Sequence, residues 1–180
     1  MYEFNPEETK KIQSKPVFAI YRKWLEKNRV IIHPSIIYPA YFGEKGRGVI
    51  GVASAKPIPK SQALLAIPYD LMITVDTVKN NEELAKIIKD NPNMFRLSQE
   101  AASKIIILFV CYELMKKGSS FYAPYFDIAT DIFLSNWSHI EMVGIENPHI
   151  VRKLKEEKEA MEGYFMNFLR IFKRYPDIFP

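Results

Sequence analysis

Apolar and polar positions follow three rhythms along this chain, and each predicts a different kind of element. Phe18, Tyr21, Trp24 and Leu25 recur at helical spacing, while Arg22, Lys23, Glu26 and Lys27 fall between them. Residues 1–28 therefore predict an amphipathic helix, broken at Pro16, which cannot keep the backbone bond that a helix interior requires. From residue 30 to 42 the chain turns β-branched and aromatic, interrupted by Pro34 and Pro39. Prolines in strands sit at edges or bulges, so short irregular strands are expected. Three glycines within six residues (Gly43, Gly46 and Gly48) follow. They mark a backbone that turns tightly or approaches something closely. Residues 49–53 resume as strand. Lys56-Pro57-Ile58-Pro59-Lys60 is a stiff link, residues 63–67 form another strand, and 71–74 continue the β-unit after a turn at Pro68-Tyr69-Asp70.

The second half is helical in pattern. Residues 82–89 predict a short helix stopped by Asn91-Pro92-Asn93. Residues 97–117 predict the strongest helix, capped by Ser98, with Glu100 in its first turn where the dipole favours negative charge. Residues 105–110 cover most of its circumference, so it should be central and buried. Lys116-Lys117-Gly118 should end it. Residues 118–136 read as an aromatic-rich loop, either a binding lip or a plug over the core, and 137–143 as a short helix. Asn147 caps and Pro148 opens a last helix reaching about Tyr175, roughly 40 Å long. Its apolar stripe is Ile150, Val151, Leu154, Met161, Tyr164, Phe165, Phe168, Leu169 and Phe172, and 153–159 is a solvated face. The chain closes on an apolar end, Asp177-Ile178-Phe179-Pro180, which reads as a cut. The expected organisation is α+β: a helical segment over 1–28, a β-part over 29–96 and a mostly helical part over 97–180.

Composition excludes several classes. Of 180 residues 48% are apolar and 26% charged, ordinary for a chain with a packed core. The longest apolar run, 105–112, falls short of the roughly 18 residues needed to span a bilayer. The acidic N-terminus shows no secretory signal core. Net charge is +4, with bases interleaved among acids, unlike the clustered basic face of a nucleic-acid binder. Neither nucleic acid nor membrane is expected as a partner. The single cysteine, Cys111, lies in the apolar run, reads as core packing, and excludes a disulfide within the chain. A reducing compartment, cytoplasmic or nuclear, follows as the simplest setting.

No phosphate loop, paired-cysteine zinc pattern or nucleophile elbow is present, and His33, His139 and His149 are scattered, so no metal site is expected. Gly46, Gly48 and Gly51 match the spacing Gly-x-Gly-x-x-Gly. The dinucleotide fingerprint needs a helix to open there, whereas 49–53 continues as strand. A plain hairpin turn accounts for the glycines equally well.

The order Phe18…Trp24-Leu25, Gly46-Arg47-Gly48-Val49, Ala53, Ile58, Leu64-Leu65-Ala66-Ile67-Pro68 and Leu71-Met72-Ile73-Thr74 resembles the start of a SET domain. The resemblance is to the branch that includes the RuBisCO large-subunit methyltransferase. Ser119-Ser120-Phe121-Tyr122-Ala123-Pro124-Tyr125-Phe126 is similar to that branch's Ser-x-aromatic…Pro-Tyr segment, and Trp137-Ser138 to the opening of its helical insert. Ala129-Thr130 departs from the Leu-Pro usual there. The family's Asn-His-Ser segment and catalytic tyrosine have no counterpart, since no Asn-His pair occurs. The chain thus resembles the N-terminal part of a SET domain with some of its insert.

The resemblance implies methyl transfer from S-adenosyl-L-methionine to a side chain of a protein substrate, histone or non-histone, usually a lysine. It places Gly46, Arg47 and Gly48 against the cofactor with Lys45 adjacent, and leaves the catalytic residues unassigned. The alternative is a non-catalytic SET-like module that binds a protein partner through residues 119–126 and 148–175. Apolar surface left bare by truncation would favour self-association.

Overall fold

A computed structural model of the chain describes residues 2–46, 48–96, 100–128 and 147–179. The fold is α+β. In chain order the elements are α1 (Pro6–Gln13), α2 (Pro16–Lys27), β1 (Ile31–Ile32), β2 (Ile36–Phe42), β3 (Val49–Ser54), β4 (Leu65–Ala66), α3 (Val75–Lys79), α4 (Glu82–Asp90), α5 (Pro92–Phe95), α6 (Ala101–Met115), α7 (Ala123–Phe126) and α8 (Pro148–Arg174). They gather into two compact units. One takes the described residues of 1–80 and 121–128, and the other takes those of 81–120 and 147–179. Ser98, Ala129-Thr130, Trp137-Ser138 and the expected helix at 137–143 lie outside the described residues.

In the first unit the helix break falls where Pro16 requires, but the chain does not start as helix. Phe4 forms a β-bridge with Phe42, and Asn5 caps α1 by accepting the Glu8 amide at 3.1 Å. β2 and β3 form an antiparallel hairpin in which Phe42 faces Val49 and Tyr41 faces Ile50. β2 is longer than expected and runs through Pro39. The ladder slips between Ile37 and Ala40, so the proline sits at an irregularity where no ladder donor is lost. Ile12, Phe18 and Tyr41 are buried together, with Val17, Ile50 and Ile128 packed on them. β4 is shorter than expected. It pairs antiparallel with β1, Ile31 opposite Ala66 and Ile32 opposite Leu65. Residues 71–74 join no strand. Instead Thr74 caps α3 in a reciprocal box with Thr77.

The expected aromatic loop holds α7. Tyr122 is buried and Phe121 and Tyr125 are largely exposed. Phe121 and Tyr122 pack on Trp24 with ring centroids 5.6 and 6.2 Å away.

The second unit is helical. Asn81 caps α4 as Leu84, Ile87 and Ile88 turn inward. The expected stop at Asn91-Pro92 is also a start. Pro92 opens α5, while the Asn91 side chain bonds back to the Ile87 carbonyl at 2.8 Å. α6 begins at Ala101, with Glu100 at the cap position rather than inside the first turn. Ile105, Leu108, Phe109 and Tyr112 are buried, whereas Leu114 and Met115 are exposed. Lys117, not Gly118, takes the left-handed backbone at the helix end, with φ 52°.

Asn147 caps α8 as expected. Its buried stripe is narrower than the sequence pattern: Leu154, Phe168 and Ile171 are inside, while Ile150, Met161 and Phe165 are exposed. Phe179 is buried, 4.5 Å from Phe172 and 6.4 Å from Tyr112 by ring centroid. Glu113 is a buried carboxylate that accepts from Lys116 Nζ at 2.8 Å and Ser120 Oγ at 2.7 Å. No helix among the described residues is long and apolar enough to cross a membrane.

Candidate functional site

The glycine turn closes the β2–β3 hairpin and is anchored from two sides. From inside, the Tyr41 hydroxyl accepts the Gly48 amide at 2.8 Å and donates to the Glu44 carbonyl at 2.9 Å. One side chain thus spans the turn and satisfies a donor and an acceptor that the ladder leaves over. Its ring is rooted in the apolar cluster with Ile12 and Phe18. From outside, residues 3–5 strap the turn. The Gly43 amide donates to the Glu3 carbonyl at 2.7 Å, Asn5 Nδ2 donates to the Gly43 carbonyl at 3.1 Å, and the Asn5 amide donates to the Tyr41 carbonyl at 2.8 Å. Thr9 completes the tie, its Oγ1 accepting the Tyr41 amide at 2.9 Å and donating to the Asn5 carbonyl at 2.7 Å.

The glycines answer to different physical demands. Gly46 has φ +79° and nothing within 4 Å of the position a side chain would take. It is needed for backbone hand alone, and its outer face is open. Gly48 has no such dihedral. A Cβ there would lie 2.2 Å from the Phe42 carbonyl oxygen and 2.5 Å from the Tyr41 ring, so the missing side chain makes room for Tyr41.

The structure therefore divides the four sequence-predicted residues. Lys45 and Gly46 are exposed at the tip; Gly48 faces inward with its amide already bonded; Arg47 lies outside the described residues. The turn's inner surface is used by the protein itself, while Glu44, Lys45 and Gly46 are exposed. Sequence reasoning missed Tyr41, Asn5 and Thr9, which hold this geometry. Asn5-Pro6 is a cap signature that locates α1, but nothing in the sequence pairs it with a turn 38 residues on.

A cavity of about 640 Å³ lies against the turn, lined by residues 2–6 with Gly43 and Glu44. Its size is that of a small-molecule site, and Glu3 and Glu44 are among its lining residues. A smaller cavity of about 300 Å³ has Tyr21, Trp24, Tyr122, Tyr125, Leu71 and Met72 in its lining. Burial, with Tyr38 and Tyr125 nearby, raises the Tyr21 phenol above its usual value; burial and Tyr125 do the same for Tyr38. These hydroxyls stay protonated at neutral pH and carry no charge for acid–base chemistry.

The sequence matches no protein-family model and no curated protein at a significant level. Among solved structures, Rubisco LSMT bound to sinefungin and monomethyllysine superposes on 92% of this chain with a TM-score of 0.70 and 19% sequence identity. The match covers 36% of that chain, so the present chain spans about a third of the length of the protein it resembles. The SET-type α+β fold expected from the sequence is the fold the chain has.

Proposed function

We propose that this chain supplies the cofactor-holding turn of a SET-type methyltransferase that uses S-adenosylmethionine to methylate a protein lysine. The observation that carries the reading is the tip of the β2–β3 hairpin, fixed from behind by Tyr41 and open in front at Gly46, in a fold that superposes on a sinefungin-bound structure. Sinefungin is a chemical analogue of S-adenosylmethionine.

Within that reading, main-chain groups of Lys45 and Gly46 hold the ligand. A bare backbone can approach a ligand edge that any side chain would keep away. The Lys45 ammonium suits the carboxylate end of a bound amino acid, and the Glu3 and Glu44 carboxylates suit its ammonium. The cofactor contributes an electrophilic sulfonium methyl. The residues described here position it, and the rate of an in-line displacement depends mainly on such alignment. No residue of this chain is assigned to deprotonating or steering the lysine.

The test is calorimetric titration of the full chain with S-adenosylmethionine and with sinefungin, repeated with Lys45→Glu and Gly46→Asn. Asparagine tolerates left-handed backbone, so the second change places a side chain on the open face while keeping the turn. Micromolar binding weakened at least tenfold by both is expected. Absence of binding, or binding indifferent to both, would refute the assignment of the site to this turn.

A further inference from the structure

We propose that the cavity bordered by α1, α2 and β2 is a binding site for a free apolar carboxylic acid, its carboxylate met by Lys10, Arg22 and the Tyr38 hydroxyl. The cavity measures about 690 Å³, and every lining residue falls between 4 and 39, inside the first unit. Small-molecule sites span ~300–1,000 Å³. No residue of the glycine turn lines it. Most of the lining is apolar, from Phe4 and Phe18 to the aliphatic and proline residues of 30–39.

The polar lining residues fall into two groups. Some are spent within the protein. Thr9 Oγ1 is shared between the Tyr41 amide and the Asn5 carbonyl, and Gln13 Nε2 donates to the Pro39 carbonyl at 3.1 Å. His33 uses both ring nitrogens, Nδ1 accepting the Ser35 amide at 3.1 Å and Nε2 bonding Gln62 Oε1 at 2.9 Å. The others are uncommitted. Among the described residues Lys10 and Arg22 enter no ion pair, and the hydroxyls of Tyr21 and Tyr38 make no hydrogen bond. Both phenols stay protonated at neutral pH and so can donate. Against these donors the lining sets one carboxylate residue, Glu26.

Uncommitted donors and positive charge beside a largely apolar lining complement a ligand with a hydrocarbon body and an acceptor-only, anionic head. A carboxylate accepts from several donors at once and matches the planar fork of arginine. The Tyr38 ring is held by packing, edge-on to Phe18 and Tyr21 with centroids 6.4 and 6.3 Å away. The occupant is a free acid rather than a lipid in a membrane. A membrane surface is read by a cluster of basic residues, whereas the bases of this chain are interleaved with acids.

The experiment is calorimetric titration of the full chain with octanoate and, separately, with 1-octanol, up to about 4 mM, repeated with Arg22→Glu and Tyr38→Phe. Arg22 is exposed on α2, and phenylalanine keeps the ring contacts of Tyr38; circular dichroism confirms that both variants remain folded. The expected dissociation constant for octanoate is below about 1 mM. It should rise at least tenfold in Arg22→Glu and at least threefold in Tyr38→Phe, and 1-octanol should bind at least tenfold more weakly than octanoate. Absence of octanoate binding would overturn the proposal. So would 1-octanol binding as tightly as the acid, or octanoate binding left unchanged by either substitution. Neither substitution touches residues 43–46, so this reading and that of the cofactor turn stand or fall independently.

Discussion

Replacing Tyr41 by phenylalanine isolates the hydroxyl that spans the glycine turn. The ring keeps its place against Ile12 and Phe18, so no cavity opens, and the bond from the Tyr41 amide to Thr9 is untouched. Two interactions are lost: the one accepted from Gly48 and the one donated to Glu44. Glu44 is exposed, so water can take over its carbonyl and that half costs little. The Gly48 amide is partly buried beneath the ring and loses its partner. A net neutral hydrogen bond contributes about 1 kcal/mol, and a stranded buried donor costs about 1–3 kcal/mol. The expected loss is about 1–2 kcal/mol, concentrated in the turn. Since 1.4 kcal/mol is about tenfold in an equilibrium constant, the Gly48 amide should exchange with deuterium roughly 5–30-fold faster. The Asn5 and Thr9 amides should change far less. Exchange at Gly48 unchanged within about twofold would refute the claim that this hydroxyl holds the turn.

Two further predictions follow from the same geometry and from the second unit. Gly48→Ala should cost at least about 3 kcal/mol in urea unfolding, because its Cβ meets backbone at 2.2 Å, whereas Gly46→Ala meets open space and should cost only the ~1–2 kcal/mol of left-handed strain; the reverse ranking would contradict the packing described. Lys116 is pulled down by burial, but its bonds to Glu113 and Tyr112 together hold it above the ordinary 10.5. A raised lysine stabilises the fold fully below its unfolded value and loses that contribution as pH climbs through the folded one. Lys116→Met should therefore cost a constant amount from about pH 7 to pH 9, and the gap to wild type should close above about pH 10.5, followed by urea midpoints across that range.

The sequence reveals helix starts better than it reveals what lies beside them. Asn-Pro occurs at 5–6, 91–92 and 147–148, and each pair opens a helix. A cap and a fixed φ act within a few residues, so a local pattern carries them. Residues 91–92 read as a stop because the preceding helix ends there too. The apolar stripe of α8 was overdrawn for the opposite reason. Met161 and Phe165 keep helical period with Leu154 and Phe168, but which part of a stripe meets the core depends on elements far away in the chain.

The candidate site shows the same divide. Three glycines announced a turn, and the turn is there. Gly46's reason, backbone hand, is local, whereas a side chain at Gly43 would meet the Tyr2 ring at 2.7 Å and one at Gly48 the Tyr41 ring at 2.5 Å, meetings that no local pattern encodes.

The first unit is discontinuous in sequence: Trp24 on α2 receives Phe121 and Tyr122 only after the chain has passed through the second unit's α4, α5 and α6. During synthesis from the N-terminus, α2 therefore waits with its indole uncovered while roughly 100 residues are added, and closing that loop carries an entropic penalty that neighbouring contacts cannot offset early. The second unit is interrupted in the same way, since Phe95 and Tyr112 meet Phe168 and Phe179 only once α8 has been made. Because α8 follows residues 121–128 in the chain, the second unit is the later of the two to receive its last element.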